Sequence, residues 1–166
     1  MKPGSIAGYS APQIVLHWLI AALVLFQLIF GESMGVALDA AEEGTPVPAG
    51  DASLASAHYW IGIAILVLVG FRLALRLTAG APSPQTSGTP IFDRLAHAVH
   101  WLFYALLVAM PVTGLLAYYV SPEIGEVHEI GKPLFILLIA VHVAGALYHQ
   151  FLLKDGTLRR MLVPRG

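Results

Sequence analysis

Four long apolar runs, at residues 11–31, 56–77, 91–120 and 127–153, alternate with polar stretches along this chain. Each reaches the roughly 20 residues that a helix needs to cross the ~30 Å hydrocarbon layer of a bilayer, and the third is long enough to tilt or project. Lipid offers the backbone no hydrogen-bond partners, so runs of this kind are expected to be α-helical. The pattern predicts an all-α integral membrane four-helix bundle, a single domain over residues 1–166.

The first run opens after Tyr9-Ser10-Ala11-Pro12, where Ser10 suits a cap and Pro12 a first turn. It carries one lysine ahead of it and no small-residue cleavage pattern behind, so it reads as a retained helix rather than a signal peptide. Segment 32–53, with Gly44, Pro46, Pro48 and Gly50, shows no apolar period and is expected to be an irregular cap. Segment 80–90, rich in proline and glycine, is a turn on the opposite side. Pro111, with Thr113 and Gly114, is expected to kink the third helix. In the fourth, Pro133 follows His128 by five residues. Either that helix starts before His128 and bends, or its regular part starts at Pro133 and leaves His128 on a separate turn.

Composition agrees with burial in lipid. The chain is 57% hydrophobic and 11% charged, with a mean hydropathy of +0.75, too little charge to cover a water-soluble domain of 166 residues. Lys2, Arg72, Arg76, Arg94, Lys154, Arg159, Arg160 and Arg165 all fall on one side of the predicted topology, leaving Lys132 as the one base on the other. By the positive-inside rule both termini are cytoplasmic. The outer side holds Glu32, Asp39, Glu42, Glu43, Asp51, Glu123, Glu126 and Glu129. Nothing in the chain points to a nucleic-acid partner. Cysteine is absent, which excludes disulfides, thiolate-ligated clusters and covalent haem attachment through cysteine.

Histidine is the conspicuous chemistry. On a helix advancing about 100° per residue, His128, His142 and His149 fall on one stripe, with His128 and His142 roughly 21 Å apart along the axis. Ionisable groups inside a membrane helix are costly and usually functional. The spacing suits two haems stacked across a bilayer, each iron held by two imidazoles from facing helices at one depth. On the outer side only His58 and His128 are available. On the inner side His17, His97, His100, His142 and His149 all compete, and counting residues does not choose between them. Gly62, one turn below His58, either admits a flat macrocycle or serves plain helix packing. Arg72, fourteen residues after His58, either reaches a haem propionate or snorkels to lipid phosphate.

The runs YSAPQIVLHWLIAAL, AHYWIGIAILVLVGFRLALRL, LAHAVHWLFYALLVAMPVTGLL and VHEIGKPLFILLIAVHVAGALYHQFLLKDGTLRRML resemble the four helices of the bacterial cytochrome b561 family. The motifs Q-x-x-x-H-W, H-x3-G…R-L-x-x-R and H-x13-H-x6-H occur in the family's order. The resemblance implies two haem b groups, with His58 and His128 on the outer iron and His17 and His142 on the inner. It implies ubiquinone beside the inner haem, where His100, His149 and Arg94 are candidates to bond or protonate it. It also implies a bacterial inner-membrane protein taking electrons from an outer-side donor, superoxide or a redox protein; with superoxide it would be a superoxide:ubiquinone oxidoreductase. The acidic outer face suits a basic or neutral donor at least as well as an anion. Two other classes stand beside this reading: a haem-bearing anchor subunit of a larger dehydrogenase or hydrogenase, and a metal transporter, which would want its ligands clustered in one mid-membrane site.

Overall fold

The computed structural model describes residues 8–82 and 89–165. Lys2 and most of the 80–90 turn, including Pro84 and Gly88, lie outside the described residues. Four helices are long and apolar enough to span a membrane, and at most 22% of the most apolar window of any of them is buried within the protein. Large apolar side chains such as Val15, Ile29, Val67, Phe71, Ile136 and Leu137 are exposed. A surface of this kind is stable only against lipid.

Helix α1 (Ala11–Phe30) starts where the sequence suggests. Ser10 is extended, and its N–H donates to Gln13 Oε1 at 3.0 Å. The Gln13 amide then donates to the carbonyl of Gly80 at 2.9 Å, fastening the start of α1 to the inner end of the next spanning helix.

Segment 32–53 departs from the expected irregular cap. Helix α2 (Glu32–Glu43) follows Gly31 directly, and α3 (Ala49–Thr78) begins seven residues ahead of the predicted start. Alanine and glutamate favour a helix, and Glu32 lies in the first turn, where the helix dipole favours an acid. Gly44 closes α2 in the left-handed region at φ 67°, its N–H reaching the carbonyls of Ala40 and Ala41. Ser33 and Ala40, one heptad apart, are the buried positions, and α2 packs on α3. Residues that small leave hardly any hydropathy signal.

Helices α4 (Pro90–Tyr119) and α5 (Ile124–Leu147) run unbroken through Pro111 and Pro133. Helix α5 starts before His128, so His128 does not sit on a separate turn and the roughly 21 Å rise between His128 and His142 applies. A π-helical turn (Tyr148–Leu153) extends α5, and a short α6 (Thr157–Arg160) follows. Helix α1 packs on α3, α3 on α4 and α4 on α5. A central apolar cluster of Ile20, Val24, Ile65, Val69, Leu107 and Phe135 draws on all four spanning helices. The tail folds back beneath α1, where Trp18 Nε1 donates to the Met161 carbonyl at 2.7 Å and the Arg165 N–H to Tyr9 O at 3.0 Å.

Candidate functional site

The histidines gather at two depths. At the outer level His58 of α3 faces His128 of α5, with ring centres 6.0 Å apart and planes inclined by 73°. At the inner level His17 of α1 faces His142 of α5, at 6.3 Å and 59°. Helix α5 thus supplies one imidazole to each level, as the 14-residue spacing predicts.

The outer pair is held by backbone and glycine. His128 Nδ1 donates to the Met110 carbonyl at 2.9 Å and lies 3.3 Å from Thr113 Oγ1, so Nε2 keeps its lone pair. A Cβ on Gly114 would stand 3.1 Å from His128 Cε1, and one on Gly31 would stand 3.4 Å from the His58 ring. Opposite, the His58 carbonyl accepts the Gln27 amide at 2.9 Å. His58 Nδ1 and Gln27 Oε1 are buried without a partner among the described residues. Gln27 escaped the sequence reading, although a glutamine inside an apolar run is itself a signal. Gly62 lies against it, a Cβ there meeting Gln27 Nε2 at 3.6 Å, an ordinary contact distance.

Three histidines meet at the inner level. The His100 ring stands edge-on to His142 at 5.3 Å and 86°, and Phe103 does the same at 5.4 Å and 79°. His100 Nδ1 donates to the Ala96 carbonyl at 2.6 Å. Arg72 Nη1 donates to the Gln13 carbonyl at 2.8 Å, and its charge acts on His17, His142 and His100 alike. Arg76, which the sequence offered only as one of the inner-side bases, lies 5.8 Å above the rings of both Trp101 and Tyr104. A cleft beside them is lined by Tyr9, Gln13, Arg72, Arg76, Ala81 and Tyr104.

The other sequence candidates separate. His97 accepts the Trp101 indole N–H at 2.9 Å on its own helix. Arg94 is exposed near the start of α4, and no hydrogen bond or ion pair among the described residues joins it to His100 or His149. His149 lies on the π-helical turn, paired through Nδ1 with Asp155 at 2.5 Å.

The donor sets fit a bis-imidazole iron within a macrocycle. Two metal–nitrogen bonds of about 2 Å, each extended by roughly 1 Å to the ring centre, place facing imidazole centres about 6 Å apart. His58–His128 and His17–His142 meet that spacing, whereas the closer, near-perpendicular His100–His142 contact is ordinary edge-to-face packing. Two nitrogens per level are also what a porphyrin leaves for the protein to supply.

The family model for prokaryotic cytochrome b561 matches residues 8–164. Cytochrome b562 of Cereibacter sphaeroides is 38% identical over 159 residues, covering 95% of this chain and 97% of that protein. A probable superoxide oxidase, CybB, of Yersinia pestis is 27% identical over 176 residues, covering 93% and 95%. Cytochrome b561 homolog 1 of Escherichia coli is 27% identical over 182 residues, covering 95% and 98%. Four spanning helices, paired imidazoles and a family match along nearly the whole length make this chain a member of the prokaryotic cytochrome b561 family, a haem b membrane cytochrome of electron transport.

Proposed function

We propose that this cytochrome carries two haem b groups in the bacterial inner membrane and passes electrons from an outer-side donor to ubiquinone at its inner end. The observation that carries the reading is the pair of facing imidazoles at each of two depths. His58 and His128 would hold the outer iron, His17 and His142 the inner. Bound there, haem supplies reversible one-electron chemistry. The protein's part is to fix ligands, spacing and charge. Met110 O fixes the tautomer of His128, Gly114 leaves room for the His128 ring, and Arg72, whose guanidinium bonds the Gln13 carbonyl, would be the cation for an inner propionate. His100 beside the inner pair, and His149 two turns below His142, are the imidazoles offered to quinone. Arg94 stands on the same inner side. The excess of lysine and arginine on that side supports a cytoplasmic location for both termini.

The name of the Yersinia pestis relative brings superoxide forward as the donor. The charge on this chain's outer side points the other way. Lys132 Nζ lies 2.7 Å from Glu32 Oε1, so the one outer lysine is paired, and its hydrogen bond and charge hold the Glu32 carboxyl below the ordinary carboxylate range. The remaining outer carboxylates then set the field, which favours a basic or neutral donor over an anion. The sign of the salt effect tests this, because the Debye length shortens from about 30 Å at 0.01 M to about 10 Å at 0.1 M salt. In stopped-flow measurements of haem reduction, added salt is expected to speed superoxide and slow a basic donor protein. A superoxide rate near the diffusion limit that falls with salt and with Lys132→Glu would establish superoxide as the donor instead. Ubiquinone-1 added to the reduced protein is expected to reoxidise it, and a protein that stays reduced contradicts the quinone reading.

A further inference from the structure

The chain reverses sharply after the fourth spanning helix, and the reversal brings an acid onto a histidine. The π-helical turn Tyr148–Leu153 is followed by Lys154 at φ 54° and Gly156 at φ 75°, both left-handed. Only the first of these is a residue that ordinarily avoids that region. Lys154 and Asp155 both direct their N–H groups to the His149 carbonyl. The result places Asp155 Oδ2 2.5 Å from His149 Nδ1, with the two side chains 16% and 18% exposed. The second carboxylate oxygen is equally engaged, accepting the Thr157 N–H at 2.9 Å and its hydroxyl at 2.7 Å. Single π-turns and left-handed non-glycine residues cluster at functional sites.

We propose that Asp155 is a positioning residue for quinone reduction, holding His149 through Nδ1 so that Nε2 delivers protons from the inner aqueous side to the quinone oxygen. This rests on the quinone reading above. Nδ1 is committed to the carboxylate, which leaves Nε2 as the nitrogen that exchanges protons. His149 follows His142 by seven residues, which keeps it within about 20° of the same face and roughly 10 Å nearer the inner surface. In each of two steps an Nε2–H bond breaks and an O–H bond forms at a quinone oxygen, while an inner-side water returns a proton to Nε2. The two electrons come from the cytochrome, which is oxidised as quinone becomes quinol.

Burial pushes the Asp155 carboxyl up, but the hydrogen bonds from His149 and Thr157 outweigh it and hold it below its ordinary value. The other titratable or charged groups around this turn are His142 on α5, Tyr148 with its ring 6.0 Å away, Lys154, and Arg159 and Arg160 on α6.

Asp155→Asn tests the inference in the haem-loaded full chain. The amide oxygen still accepts from Thr157, so α6 stays docked while the charge is lost. Haem content and spectrum are expected to be unchanged. Reoxidation of the reduced protein by ubiquinone-1 is expected to slow roughly 10- to 100-fold, the range for removing a group that orients a functional imidazole. The quinone KM should stay the same. Asp155→Glu, which keeps the charge, should recover much of the rate. Asp155→Asn combined with His149→Gln should be no slower than His149→Gln alone. Independently of turnover, the His149 Nδ1 proton should resonate far downfield in the wild type and lose that position in Asp155→Asn. A wild-type rate in Asp155→Asn, beside a slow His149→Gln, overturns the role of Asp155 and leaves the quinone site standing. A wild-type rate in His149→Gln overturns both.

Discussion

Gly114→Ala probes how the outer imidazole is held. A methyl group there would lie 3.1 Å from His128 Cε1 and 3.3 Å from Nδ1, so the ring must retreat by a few tenths of an ångström. Its freedom to retreat is small, because Nδ1 is tied to the Met110 carbonyl at 2.9 Å and Thr113 stands 3.3 Å away. Overpacking of this kind costs about 1–3 kcal/mol. If the strain is carried by the His128–iron bond, the outer haem is held roughly 5- to 150-fold more weakly. The assay is haem per chain together with the rate of haem transfer to an acceptor apoprotein, followed for each haem by its reduced spectrum. Gly70→Ala is the control, since nothing lies within 4 Å of a Cβ there. Relieving a mid-helix glycine should leave that variant stable by about 0.5–1 kcal/mol more than the parent, with haem retention unchanged. Equal haem retention in the Gly114 and Gly70 variants would refute the argument that Gly114 makes room for His128.

His58→Ala or His128→Ala should remove or weaken the outer haem while the inner one largely survives; equal loss of both from a folded variant counts against the pairing. His100→Ala should keep both haems and slow reoxidation by quinone, whereas loss of the inner haem would make His100 the partner of His142 in place of His17. Docking of the C-terminal tail should depend on acid. The folded Asp155 carboxyl lies below its ordinary value of 3.8, so its contribution is full above that pH and is lost as pH falls through the folded value. Hydrogen exchange in residues 155–163 should therefore rise in the wild type only as pH falls below the ordinary carboxylate value of 3.8, and lose this pH response in Asp155→Asn.

The spans were legible because lipid imposes one requirement, an apolar run of sufficient length, and the sequence states it four times. The two levels of histidine were legible because helical periodicity carries His128 onto His142. The sequence left the inner partner open, since His17, His97, His100, His142 and His149 all lie toward the inner side and residue counting does not say what each nitrogen meets. Trp101 engages His97 one turn away on the same helix, while Asp155 engages His149 through a contact that only the reversal at Lys154 brings about. Helix α2 was missed because its packed face is serine and alanine. Gln27 was missed because its amide acts on a carbonyl 31 positions away. Arg76 read as one more inner positive charge, and only the packing of α3 on α4 places it over Trp101 and Tyr104.

Quantifying haem against protein, with low-temperature electron paramagnetic resonance of the oxidised form, tests the central claim most directly. Two b-type haems per chain, both low-spin with two imidazole ligands, and one of them lost in each of His58→Ala and His17→Ala, is the result expected from imidazole pairs at 6.0 and 6.3 Å. A single haem per chain, or a high-spin signal from a site that keeps both of its histidines, would contradict the two-haem reading.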